Sequence, residues 1–431
     1  MSNKQNTNKT DQSYWGIVKR QFRKNKLAVW SLRVVYVIFF VGILADFFAN
    51  DKPLYCKLEG KTYFPVFREY AASLGLTSMQ PELLNVDWLH ADYEAVVRAP
   101  IPYSPLTQDW DNAFANPTKK QDVKSWRFRH FLGSDQLGRD LLSGMIHGTR
   151  IAMLVGIVSM GIASIIGIFL GAIAGYFGDE RLQVSRVRLW LNVLFLFFGW
   201  FYAFNARSYV MSDALSDSFG GFIFQFLISL VIFTGIMAIP NLIAIPFKKL
   251  PYFGKPITVP IDIIISRAIE VLNSVPILLL ILSICAVVKK PSIMLIMVII
   301  GFTSWTGIAK YIRAELLKVR NLEYIEAAQS LGFSEWRIML RHAIPNSLTS
   351  VLITIAFGVA TAILTESSLS FLGIGVQADV VTWGKLLNEA RADVSGWWFA
   401  VFPGLAIFIT VTVFNLLGEG LTDAMDPRLK Q

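Results

Sequence analysis

Glu326-Ala327-Ala328-Gln329-Ser330-Leu331-Gly332-Phe333-Ser334-Glu335-Trp336-Arg337-Ile338-Met339-Leu340-Arg341-His342-Ala343-Ile344-Pro345 is a largely polar stretch set between two long apolar blocks. Physically it reads as two short helices. The run from Glu323 to Leu331 favours helix, and Gly332 supplies the positive φ that ends it. Ser334 is placed to cap a second helix. Pro345 is expected to end that helix before the next apolar block begins. A hairpin of this kind with a compact Ala327-Ala328 surface suits a groove on another protein; on these residues alone that is one use among several.

Working outward, the flanking blocks are 293–309 and 346–368, and six more lie along the chain at 27–48, 151–176, 189–206, 221–247, 263–288 and 397–417. About 20 apolar residues cross a bilayer as helix, so these blocks predict an all-α polytopic membrane protein with about eight spans. Composition agrees. Of 431 residues 54% are hydrophobic and 16% charged, against about 25% charged in a soluble domain, and mean hydropathy is +0.49. A water-soluble enzyme and a disordered chain are both excluded. The net charge of +9 reflects basic cytoplasmic loops rather than nucleic-acid binding.

Charge sets the orientation. Lys4, Lys9, Lys19, Arg20, Arg23, Lys24 and Lys26 precede the first block against a single acid, Asp11, which places the N-terminus inside. The block is longer than a signal-peptide core and is read as a retained helix; Arg33 near its inner end can snorkel to the headgroups. Loops 177–188 (Arg181, Arg186, Arg188) and 248–262 (Lys248, Lys249, Lys255) then fall inside, as does 310–345 with Lys310, Arg313, Lys318, Arg320, Arg337 and Arg341. Loop 207–220, with Asp213 and Asp217 against Arg207, falls outside; only Lys289 and Lys290 disagree. Both termini are therefore expected in the cytoplasm.

Segment 49–150 is a large external insert with 12 basic and 12 acidic residues. Its aromatic and proline clusters, among them Tyr63-Phe64-Pro65 and Pro100-Ile101-Pro102-Tyr103, suggest a folded cap. Ala163, Gly167, Gly171 and Gly175 recur every four residues along one helix face, a seam for close helix packing. Trp397 and Trp398 open a span and read as interfacial anchors. Cys56 and Cys285 lie in different settings, so no disulfide is expected. His130, Asp135, Asp140 and His147 lack ligand spacing, and no metal site is expected.

Several co-linear motifs resemble one family. Glu326, Ala327, Ala328, Gly332, Ile338 and Pro345 match the EAA motif of ABC importer permeases. Arg23-Lys24-Asn25-Lys26-Leu27-Ala28 is similar to the N-terminal entry of its dipeptide/oligopeptide branch, second permease subunit. Leu132-Gly133-Ser134-Asp135 with Gly138-Arg139-Asp140-Leu141-Leu142-Ser143 resembles that branch's segment before helix two. Arg267, Glu270, Ser274 and Pro276 look like the start of the next shared helix, with Glu270 standing where Asp is usual. Glu366 with Ser370-Phe371-Leu372-Gly373-Ile374-Gly375 matches the fifth-helix exit. Asn415-Leu416-Leu417-Gly418 and Asp423-Ala424-Met425-Asp426-Pro427-Arg428 match the C-terminus. The resemblance covers about 20–50, 130–180 and 260–431.

Two regions depart from the family pattern. Segment 181–260 adds a helical hairpin that turns six spans into eight. Loop 49–130 is long, and Asn50-Asp51-Lys52-Pro53-Leu54 and Tyr63-Phe64-Pro65-Val66-Phe67 resemble a subgroup linked to uptake of peptides and microcin-C-like peptide-nucleotides.

The resemblance implies a type I, MetI-like permease core. The expected organisation is a cytoplasmic segment 1–26, a first span 27–48, the external insert and pre-helix segment 49–150, a core 151–417 with the added hairpin 181–260 and the EAA loop 310–345, and a cytoplasmic tail 418–431. It implies a bacterial inner-membrane importer subunit for peptides or peptide-like solutes. Its partners would be a homologous permease, two ATPase subunits and an extracytoplasmic solute-binding protein. Walker A, G-x-x-x-x-G-K-[ST], is absent from the chain, so ATP and Mg belong to the partners, with no cofactor and no catalytic residue on this chain. Glu326, Ala327, Ala328, Gly332, Ile338 and Pro345 are the ATPase-coupling residues so implied. Glu270 and Glu366 are pathway or gate candidates, because acids in a span are costly. Glu366 lies near the external end of its span, where water can reach it, and Arg267 is a plain i,i+3 partner for Glu270. The alternative is a stand-alone secondary transporter or channel, for which Glu270 is the one candidate coupling acid.

Overall fold

The structure is a computed structural model that describes residues 14–58, 60–73, 86–89, 91–123, 125–217, 219–247, 250, 252–288, 292–375, 377, 379–391 and 395–425. Lys4, Lys9, Asp11, Lys248, Lys249, Lys289, Lys290 and Asp426-Pro427-Arg428, which entered the readings above, lie outside these residues. Among the described residues seven single helices are long and apolar enough to span a membrane: Lys26–Ile43, Leu141–Phe177, Arg186–Ala214, Gly220–Phe247, Ile293–Val319, Glu335–Phe371 and Trp398–Met425. The eighth expected span, 263–288, is two helices, Ile261–Ser274 and Ile277–Val287, bent by 82°. Pro276 stands at the break. It has no N–H to continue the ladder, and the residue before it is pushed out of helical backbone.

The chain divides into two compact units, 1–168 with 272–311 and 346–431, and 169–271 with 312–345. In the first, Asn25 caps Lys26–Ile43 by accepting from the Ala28 N–H (3.1 Å) and donates to Asp423 (3.2 Å). Gly420 allows helix Trp398–Met425 to meet it there: a Cβ at 420 would stand 2.1 Å from that of Ala28. The small-residue seam packs on helix Ile293–Val319, where a Cβ at Gly167 would lie 2.8 Å from Ile308 and one at Gly301 2.8 Å from Ile162. Ser159 also donates to the Met297 carbonyl (2.8 Å).

The described residues of segment 49–150 include regular structure. Strands β1 (Tyr55–Leu58), β2 (Lys61–Tyr63) and β3 (Ala95–Val97) form an antiparallel sheet in the order β2-β1-β3. Helix Pro65–Ser73 follows, and Tyr70 on it meets Arg150, which also donates to the Gly42 carbonyl (2.9 Å) and to Asp46 (2.6 Å). Burial works to raise the Asp46 pKa, but the Arg150 bond and charge outweigh it and hold the carboxyl below its usual range. The helix expected from residue 151 starts at Leu141. Asp140 caps it, accepting the Ser143 N–H at 2.7 Å, so ten residues too polar for the hydropathy signal are helical as well. Trp398 is 2% exposed, packs with Leu141, Val381, Leu386 and Phe399, and donates to the Ser134 carbonyl (3.3 Å). It is a core residue and not an interfacial anchor; Trp397 beside it is exposed. Cys56 and Cys285 are both buried and free.

In the second unit, strands β4 (Gln183–Ser185) and β5 (Pro256–Thr258) pair antiparallel and bring the two ends of the added hairpin together. An insertion whose ends meet disturbs its host fold least. Arg188 bonds Asn241, and Arg207 donates to Ser229 (3.1 Å) and Gln225 (2.7 Å), so these polar groups find partners inside the hairpin. The expected loop 207–220 is instead helical through Asp217: helix Arg186–Trp200 runs through a π turn, Phe201–Asn205, into Ser208–Asp217.

Candidate coupling site

Residues 323–345 form the hairpin that the sequence outlined. Helix Glu323–Ser330 ends at Gly332, φ +77°. The Phe333 N–H bonds the Ala328 carbonyl (3.3 Å) and the Gly332 N–H that of Gln329 (2.9 Å). This paired closure needs a left-handed residue, which glycine adopts without Cβ strain. No atom lies within 4 Å of where a Gly332 Cβ would be, so the backbone conformation sets the requirement there. Ser334 takes the N-cap position of helix Glu335–Ile338, but its side chain caps no N–H.

Pro345 does not end that helix. A π turn, Met339–Ala343, leads directly into helix Ile344–Phe371, and the whole of Glu335–Phe371 is one rod. The wider turn makes room for the proline ring and for the carbonyl it cannot bond.

Ile325, Ala328, Ile338 and Met339 are buried, whereas Glu326, Ala327, Gly332 and Pro345 are exposed. Several apolar side chains of the hairpin are exposed as well: Leu331 is 74% and Leu340 56% exposed, and Phe333 and Trp336 are also exposed. Arg337 lies over the Phe333 ring (4.9 Å). The carboxylate of Glu335 accepts from the Tyr176 hydroxyl (2.6 Å) and from the Gln329 amide (3.3 Å). Nothing in the sequence singled out Tyr176. Its one signal was a polar-tipped aromatic at the end of an apolar block.

The family described as binding-protein-dependent transport system inner membrane component matches residues 257–431, and the N-terminal TM domain of oligopeptide transport permease C matches residues 13–63. The glutathione transport system permease protein GsiD of Pectobacterium atrosepticum is 32% identical over 302 residues, 70% of this chain and 73% of that protein. The chain belongs to the permease subunits of ABC importers. The inner membrane ABC transporter permease protein YejE of Escherichia coli is 27% identical over 414 residues, covering 94% of the chain and 95% of that protein. The peptidoglycan transport system permease protein YejE of Agrobacterium fabrum is 25% identical over 431 residues, 95% and 92% of the two lengths. Matches that long run through both the 49–130 and the 181–260 segments of this permease.

The two candidate acids of the permease differ sharply. Glu270 is 59% exposed at its side chain and pairs with Arg267 at 2.6 Å, the ordinary helix pair. Glu366 is 2% exposed, not open to water as its place near the span's end suggested. It accepts from Ser370 (2.5 Å) and Ser367 (3.4 Å), and the Thr382 hydroxyl also bonds it. Thr382 in turn caps helix Trp383–Glu389, accepting the Lys385 N–H (3.2 Å). Ser370 lies just before the turn at Gly373, φ +78°, where the Ile374 N–H reaches the Leu369 carbonyl (3.0 Å).

The segment before helix two is built on glycine. Gly138 (φ +75°) sits so close to Asp109 that a Cβ would fall 1.9 Å from its carbonyl oxygen. Asp135 accepts the N–H groups of Leu137 (2.9 Å) and Arg139 (2.7 Å), and Arg139 bridges to Glu389 (2.9 Å). His130 and Asp140 are paired at 2.8 Å. Among the described residues no group of three His, Cys, Asp or Glu is placed to hold a metal ion.

Proposed function

We propose that this permease forms half of the pathway of an importer for peptides or peptide-like solutes. It would be joined to a homologous permease, two ATPase subunits and an extracytoplasmic solute-binding protein. Both termini would be cytoplasmic. ATP and Mg would be bound by the ATPase subunits, with no cofactor on this chain. The names of the relatives, which refer to glutathione and peptidoglycan transport, support the substrate class.

The observation that carries the coupling role is the apolar face of Leu331, Phe333, Trp336 and Leu340 on a segment that the charge pattern puts in the cytoplasm. Exposed apolar surface of that kind, rimmed by charge, marks a protein interface. Glu326, Ala327, Ala328, Gly332, Ile338 and Pro345 would present it to the ATPase. Closure of the ATPases would displace the hairpin, and the helices continuous with it would rock. Gly332→Asp tests the reading. A charged Cβ strains the left-handed turn by about 1–2 kcal/mol and meets the docking surface. Import and binding-protein-stimulated ATP hydrolysis are expected to be lost while the protein stays in the membrane. Normal import and stimulation would remove the hairpin from the coupling role.

A further inference from the structure

Tyr176 is the penultimate residue of helix Leu141–Phe177 and is fully buried. Its hydroxyl is tied to the Glu335 carboxylate at 2.6 Å, and Gln329 reaches the same carboxylate from the first arm of the hairpin. One acid on the second arm thus gathers the first arm and the end of a spanning helix. Phe177 packs on Trp336, ring centroids 5.0 Å apart. The helix end is also held by helix Ile293–Val319 and the residue after it. Arg320 donates to the Gly175 carbonyl (3.4 Å), and a Cβ at Gly175 would stand 2.6 Å from the Arg313 carbonyl oxygen.

Packed rings can slide over one another, but a phenol–carboxylate bond is directional and short. If the hairpin moved without the helix, the buried Tyr176 hydroxyl would lose its acceptor and the Glu335 carboxylate its shortest bond, a desolvation cost that resists separation. We propose that Tyr176 is a positioning residue, and that its bond to Glu335 is the link through which displacement of the hairpin reaches helix Leu141–Phe177. This rests on the coupling reading above. The helix is unbroken from Phe177 back to Leu141, so motion imposed at its end is carried along it.

The test uses the assembled complex in proteoliposomes and reads solute imported per ATP hydrolysed. Tyr176→Phe keeps the ring and removes only the hydroxyl. The ratio is expected to fall roughly fivefold or more, the lower end of ordinary coupling between sites, with complex yield and ATP hydrolysis retained. Glu335→Gln keeps an acceptor for the hydroxyl and should stay close to the parent. Glu335→Ala should match Tyr176→Phe, and the two together should do no more than either alone. A merely structural role would lower yield and leave the ratio alone. An unchanged ratio in Tyr176→Phe overturns the proposal, as do effects of the two variants that multiply. If Tyr176→Phe assembles poorly, the ratio in Glu335→Ala decides in the same way. Loss of coupling in Gly332→Asp with a parental ratio in Tyr176→Phe removes the link and keeps the coupling reading; parental behaviour in both removes the reading itself.

Discussion

Replacing His130 by phenylalanine should loosen the segment before helix Leu141–Phe177 in a pH-dependent way. His130 is fully buried, stacked on Tyr103 at 4.5 Å, with Nδ1 2.8 Å from Asp140 and Nε2 3.3 Å from Asp109. Phenylalanine keeps the stack and removes both polar contacts. The Asp140 side chain is 1% exposed and cannot turn to water, though it keeps the Ser143 N–H. Asp109 is 20% exposed and can be rehydrated. One charge-assisted bond to a buried acid is therefore lost in full, worth about 1.5–3 kcal/mol. Burial pulls the His130 pKa down, but the bonds and charges of Asp140 and then Asp109 outweigh it and hold it above the ordinary imidazole value. A raised folded pKa means that the contribution is complete below the unfolded pKa of about 6.5 and fades as pH rises through the folded value. Hydrogen exchange over residues 101–140 in the detergent-solubilised complex would measure it. The excess exchange of the variant should be greatest near pH 6 and shrink toward pH 9. An excess equal at both ends would refute the ion-pair account, and no excess would refute the anchoring role altogether.

Two further outcomes follow from the geometry. Glu366→Gln preserves an acceptor for Ser370 and Thr382, whereas Glu366→Leu leaves buried hydroxyls unpaired, about 1–3 kcal/mol for each that finds no other partner; thermal melting should rank parent, Gln, Leu, and a Leu variant as stable as the parent would show that the anchor is dispensable. A cysteine at Ser212, on the exposed side of helix Ser208–Asp217, should react with an impermeant thiol reagent in intact spheroplasts if the hairpin tip lies outside, and labelling confined to lysed cells would contradict that orientation.

What could be read from the sequence was what local chemistry decides. Blocks of apolar residues announce spans because lipid forces the backbone to satisfy itself as helix. Gly332 announces its turn because few residues adopt φ +77° cheaply. The misreadings share one cause, a local rule overruled by neighbours. Trp398 beside Trp397 looks like a membrane-edge pair, yet Phe114, Leu141 and Val381 enclose one ring and leave the other out. Glu366 looks wet by position, yet three hydroxyls supplied from 367, 370 and 382 make burial tolerable. His130 is a lone histidine in sequence, and only folding brings Asp109 and Asp140 to either side of its ring.

Proline shows most clearly how context decides. Pro276 and Pro345 obey the same steric rule, and the outcomes are opposite. At Pro276 the helix breaks and turns by 82°. At Pro345 the five residues Met339–Ala343 adopt a π turn and the helix continues. The difference matters for a transport subunit. A stop at Pro345 would leave the hairpin hinged to the next span, free to absorb displacement in a flexible joint. The helix from Glu335 to Phe371 is continuous, so under the proposed coupling role a displacement at Trp336 and Leu340 would act on the same helix that carries Glu366.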